Sequence, residues 1–169
     1  MIKIPKDASN TGKDGYKNEV TVLTKLNDLV ARDDKSLISV QKILPGVTIK
    51  GKLKDLITEQ LKTRNSKADE IDALQNQFAD ALKAFHDQTG LVYGNGFLDN
   101  ALVDKDKVNL IGFEFAHSGG SKDEFEKEIQ KARFAFQKER TETDADLSYK
   151  LSRLPWTVSL ARRTSVTSE

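Results

Sequence analysis

The chain has 169 residues and a net charge of +1, with 27 lysines and arginines set against 26 aspartates and glutamates. That balance gives no whole-molecule field to draw in nucleic acid or anionic lipid. The lack of cysteine, with only two histidines, excludes a disulfide framework and argues against a zinc site. Length fits one domain with a modest core, and no apolar run approaches the roughly 20 residues that cross a bilayer. The start Met1–Lys6 lacks the apolar region of a signal peptide. A soluble, cytoplasmic protein is therefore expected.

Taken in order, Met1–Lys6 reads as a strand fragment running into a polar loop at Asp7–Gly15. From Tyr16 to Arg32, Val20, Leu23, Leu26, Leu29 and Val30 recur at helical spacing and predict an amphipathic helix. Leu37–Leu44 reads as a strand, stopped by Pro45-Gly46. Leu53, Leu56, Ile57 and Leu61 then mark a short helix. Ile71, Leu74, Phe78, Leu82 and Phe85 mark a longer one, with Ser66 as its N-cap and Thr89-Gly90 as its end.

Beyond Gly90, Leu91–Ala116 reads as a loop followed by a β-hairpin, formed by Ala101–Val103 and Val108–Phe115 around Asp104-Lys105-Asp106-Lys107. Ser121-x-x-Glu124 has the form of a capping box, and Phe125, Ile129, Ala132 and Phe136 give the following helix its buried stripe. Thr141–Asp146 interrupts the pattern, and Leu147–Trp156 reads as one more helix ending before Pro155. Trp156 is expected to anchor the C-terminus, and the tail that follows is rich in Ser, Thr and Arg.

The order helix, loop, hairpin gives Leu91–Ala116 its meaning, because a motif counts only in its structural context. Tyr93-Gly94-Asn95-Gly96-Phe97-Leu98-Asp99-Asn100-Ala101-Leu102-Val103 resembles the His-Gly-Asp, four residues, Asn pattern of protein kinases and aminoglycoside phosphotransferases. Leu110-Ile111-Gly112-Phe113-Glu114 resembles the metal-binding element on the second strand of their hairpin. The resemblance implies that Asn95 stands at the catalytic base position, and that Asn100 and Gly112 stand at the two metal-binding positions. Kinase chemistry needs a carboxylate at the base position and another at the second metal position. Asparagine and glycine supply neither, while Asp99 and Glu114 lie next to the vacated places.

The same resemblance extends upstream. Ile2-Lys3-Ile4 looks like the strand of the phosphate-binding lysine, and Glu19 like its ion-pair partner. Gln41-Lys42-Ile43-Leu44-Pro45-Gly46-Val47 looks like the strand and hinge that receive adenine, which marks Gln41 and Leu44 as cofactor-binding positions. The strands and glycine-rich loop that would cover the phosphates have no counterpart in the sequence. The implied fold is an α+β, minimal, N-terminally truncated kinase-like domain over residues 1–156. It divides into a partial N-lobe at 1–50 and a reduced helical C-lobe at 51–156, with a tail at 157–169.

In architecture this is similar to the compact bacterial effector kinases delivered by type III secretion, so release into a host cell is the alternative to a cytoplasmic location. The expected function is that of a pseudokinase that binds or regulates a protein partner, with no cofactor. An atypical kinase using ATP and Mg²⁺ through Asp99 or Glu114 is the alternative, and an unrelated α+β interaction domain is a third reading. His86 is expected to pack or cap a helix end. Arg162-Arg163-Thr164-Ser165-Val166 matches what basophilic kinases accept, within an ordinary solvated tail.

Overall fold

Asn27, with a left-handed φ of 62°, is where the first helix gives way to sheet. In the computed structural model, which describes residues 2–3, 10–35, 38–96, 98–118 and 121–153, α1 spans Asn10–Lys25. The expected helix over Tyr16–Arg32 is thus corrected at both ends. It begins inside the segment read as a loop, with Gly15 helical and close to Glu114: a Cβ there would sit 3.4 Å from Glu114 Cβ. It stops before Leu29 and Val30, which belong to β2 (Leu29–Asp33). Their periodicity continued the helical stripe by coincidence, since Leu29 packs against the same core from a strand.

The strand β1 (Ile2–Lys3) pairs antiparallel with β3 (Ile38–Gln41), and β3 pairs with β2, giving the order β1-β3-β2. Lys3 lies opposite Ser39 and Leu29 opposite Gln41. Helix α1 packs on β2 and β3, and its Val20, Val22 and Leu23 are buried. Lys25 Nζ donates to Thr89 O at 2.7 Å, a cation on the carbonyl end of a helix described next.

Pro45-Gly46 does turn the chain, into a two-residue strand β4 (Val47–Thr48). Thr48 caps α2 (Ile49–Thr63), its hydroxyl accepting from Gly51 N at 3.1 Å. Helix α3 (Ala68–Thr89) carries the expected stripe Ile71, Leu74, Phe78, Leu82 and Phe85 into the centre of the core. Its cap differs from expectation. Lys67 holds the N-cap position, and the Ser66 hydroxyl accepts from Ala68 N at 3.3 Å, two residues on instead of three. Gly90, at φ 68°, closes the helix with its N–H on His86 O.

A short pair, β5 (Leu91–Val92) with β8 (His117–Ser118), brackets the hairpin of β6 (Ala101–Asp104) and β7 (Lys107–Leu110). The sheet order β4-β6-β7 ties the entry of α2 to this hairpin. The second strand ends five residues earlier than expected, because Gly112 adopts φ 75° and breaks the extended run.

Helix α4 runs unbroken over Lys122–Ser152, which corrects the expectation of a break after Arg140 and a separate helix at Leu147–Trp156. The polar stretch holds helix because it contains neither Gly nor Pro and carries i,i+4 pairs, Lys138 with Glu142 and Lys150 with Asp146. Ser121 caps it as expected, accepting from Glu124 N at 3.4 Å. It lies antiparallel against α3, with His86 stacked on Phe125 at one end and Arg140 paired to Asp72 at the other. The His86 expectation of packing at a helix end is met by that stack. Trp156, Pro155 and the tail, including Arg162 to Val166, lie outside the described residues. Among the described residues no helix is long and apolar enough to cross a membrane.

The two faces of α4 differ sharply within one turn: Phe136 is fully buried, whereas Phe134 is 73% exposed. Phe136→Ala is expected to lower stability by ~3–5 kcal/mol. Phe134→Ala is expected to change it by no more than ~0.5 kcal/mol. Both are read from urea midpoints.

Candidate functional site

The loop from Tyr93 to Gly96, a single 3-10 turn at Leu98–Asn100 and the turn at Gly112 meet beneath the β6–β7 hairpin. Asn95 sits at their centre and is only 1% exposed. Its Nδ2 donates to Gly112 O at 3.0 Å, and its Oδ1 accepts from Asn100 Nδ2 at 2.7 Å. Both ends of the amide are therefore spent inside the protein. These three positions, separated by up to 17 residues in sequence, are brought into one cluster.

Gly112 is required twice over. Its φ of 75° is a conformation that residues with a Cβ rarely adopt. A Cβ there would also meet Asn95 Nδ2 at 3.3 Å, Glu114 Oε2 at 3.4 Å and Asn100 Cγ at 3.6 Å. Those three groups line the direction in which a side chain at 112 would project. Glu114 thus belongs to the cluster, and its Oε2 is enclosed without a hydrogen-bond partner. It is a buried acidic oxygen with spare acceptor capacity. Asn18 on α1 donates to the Glu114 backbone oxygen at 3.4 Å, linking the first helix to this turn.

Tyr93 supports the cluster from below. It is fully buried, and its hydroxyl lies against the carbonyls of Asn100, at 2.9 Å, and of Ile111. One phenolic proton thereby ties the start of β6 to the end of β7. The ring packs edge-on against Phe85 and Phe113, which stack on each other at 5.7 Å. Burial pushes the Tyr93 phenol well above its ordinary range, with the charges of Glu114 and Glu128 adding to the shift and the Ile111 bond opposing it.

Two backbone donors of the loop go to a residue that the sequence did not mark. Glu128, on the second turn of α4 and buried, accepts from Tyr93 N at 3.1 Å through Oε2 and from Gly94 N at 2.7 Å through Oε1. A carboxylate on the buried face of an otherwise charged helix was the available signal, since Glu128 sits one residue before Ile129 in the apolar stripe. Gly94, at φ 72°, lets the loop pass against the Phe115 carbonyl, where a Cβ would overlap it.

The remaining expected positions fall elsewhere. Asp99 is exposed on the 3-10 turn. Its charge, after the hydrogen-bonded Glu139, helps to raise the pKa of Lys50 on the molecular surface. Glu19 and Gln41 are buried on α1 and β3. Lys3 is described through its backbone pairing with Ser39, and the expectation that it pairs with Glu19 rests on a side chain outside those described. Leu44 lines a separate cleft of about 320 Å³ between α3 and β7, with Leu26, Phe85, Val108 and Phe113. Asn95, Asn100 and Gly112 do not line that cleft.

Mg²⁺ wants near-octahedral oxygen ligands that include one or two carboxylates. The cluster offers the one carboxylate of Glu114, whose Oε2 has no hydrogen-bond partner, and Asn100 Nδ2 is engaged with Asn95 Oδ1. Among the described residues, no group of three or more His, Asp or Glu is placed to hold a metal ion. No protein-family model matches the chain, and no curated protein matches it.

The phenol of Tyr93 gives a pH dependence of known sign. Its folded-state pKa is raised above the ordinary 10.0, so the native state holds the proton longer than the unfolded chain does. The resulting stabilisation is complete below pH 10 and is lost as pH rises beyond it. Between pH 9 and pH 11 the urea midpoint is expected to fall, and to fall less steeply in Tyr93→Phe.

Proposed function

We propose that this is a catalytically degenerate, kinase-like module that acts by binding a protein partner instead of transferring phosphate. The observation that carries the reading is the crowding at Gly112: its left-handed φ of 75° disfavours an aspartate, and Asn95, Asn100 and Glu114 lie 3.3–3.6 Å from where its Cβ would be. The site is repacked around glycine, so more than one substitution separates it from a working one. Phosphoryl transfer depends almost wholly on positioned charge. An amide with both ends hydrogen-bonded internally neither accepts a substrate proton nor holds a cation.

The upstream architecture supports the same reading. The strands of Lys3 and Gln41 pair antiparallel, and the helix of Glu19 packs on β2 and β3. The hairpin, with Asn100 at its base, follows α3 after β5 and the 3-10 turn.

One observation favours the competing reading of an atypical ATP-using enzyme. Glu114 Oε2 is enclosed without a partner beside Asn100, and a cation drawn to it would recruit ATP only in the presence of metal. The two readings differ in a thermal-shift titration with ATP. The degenerate module is expected to give the same shift, or none, with Mg²⁺ and with a chelator, and to show no phosphoryl transfer above background. A shift that appears only with Mg²⁺, or transfer by the unmodified protein, would overturn it.

A further inference from the structure

We infer that Glu128 is a positioning residue: from helix α4 it sets the backbone of the Tyr93–Gly94 turn, and through that turn it holds Asn95 in its bonded place. The two carboxylate oxygens divide the work. Oε2 takes the Tyr93 N–H at 3.1 Å and Oε1 takes the Gly94 N–H at 2.7 Å, so two successive amides are fixed by one side chain. Successive N–H groups aimed at one acceptor group require a particular backbone course. Here Gly94 supplies it with φ 72°. Asn95 follows immediately, and its two hydrogen bonds are made from that position.

The clamp reaches across 34 residues of sequence to Gly94, and Glu128 is itself buried. It is braced on both sides. His86 stacks on Phe125 at 4.3 Å, one turn before it, and buried Ala132 follows one turn after. Helix α4 is therefore mechanically continuous with the loop. A movement of its first turns would withdraw two acceptors from the turn and free the Asn95 amide. A glutamine could not replace Glu128, because its amide nitrogen would set a donor against one of the two N–H donors. This coupling stands on hydrogen-bond geometry and is independent of whether the site descends from a kinase.

A double-mutant cycle separates positioning from simple packing. Asn95→Ala is expected to lower the folding equilibrium constant of the otherwise unmodified protein roughly tenfold. In a Glu128→Gln background the same change should lower it by less than about threefold, because the loop that made Asn95 useful is already lost. Hydrogen exchange supplies the second readout: the Tyr93 and Gly94 amides should exchange at least about tenfold faster in Glu128→Gln, with the Leu74 and Leu82 amides unchanged. Glu128→Asp, which keeps both oxygens on a shorter arm, should restore part of that protection. Equal effects of Asn95→Ala in both backgrounds, or unchanged exchange at Tyr93 and Gly94, would overturn the assignment. Glu128→Gln preserves side-chain volume and one acceptor, so the cycle is run with it in place of the more disruptive Glu128→Ala.

Discussion

The Asn95 amide is the constraint on which the centre of this molecule depends. One side chain, almost wholly removed from solvent, joins the 3-10 turn before β6 to the turn after β7. A buried amide left unmatched would cost about 1–3 kcal/mol, so its neighbours are held to the arrangement that satisfies it. Gly112 must remain glycine, because its carbonyl is needed at Asn95 Nδ2 while its Cα faces the same group. Tyr93 must remain beneath, because its hydroxyl closes the two carbonyls at the base of the hairpin.

Around that centre the helices divide the labour. Helix α3 supplies the apolar wall, with Phe85 against Tyr93 and Phe113. Helix α1 reaches the Gly112–Glu114 turn through Asn18 and the close approach of Gly15. Helix α4 brings Glu128 from the far side. Elements distant in sequence thus converge on a stretch of fewer than 25 residues, Tyr93 to Glu114, and the geometry there is over-determined. A buried polar network of this kind helps to specify one arrangement of the chain.

Much of this was legible in the sequence, and the failures have physical causes. The stripes of α2, α3 and the first half of α4 were readable because each buries one face against a single core. The hairpin was readable from its turn residues, and the spacing from Asn95 to Asn100 to Gly112 marked positions that do meet. Helix α1 was misjudged at its C-terminal end because Leu29 and Val30 continue a helical stripe into a strand that packs on the same core. The second half of α4 was missed because its helix rests on charge pairs and propensity, which leave no apolar period. Glu128 is marked only by its place beside the apolar stripe: its role is plain once its partners, 34 and 35 residues away, are seen.

The central claim is that Asn95 is a closed structural clasp and takes no part in binding nucleotide or metal. The side-chain amide resonances of Asn95, recorded by NMR during titration with ATP and Mg²⁺, test it most directly. The account predicts two separate NH₂ signals with slow solvent exchange that stay in place throughout the titration. Signals that exchange rapidly with water before any addition, or that move as Mg²⁺ and ATP are added together, would contradict it.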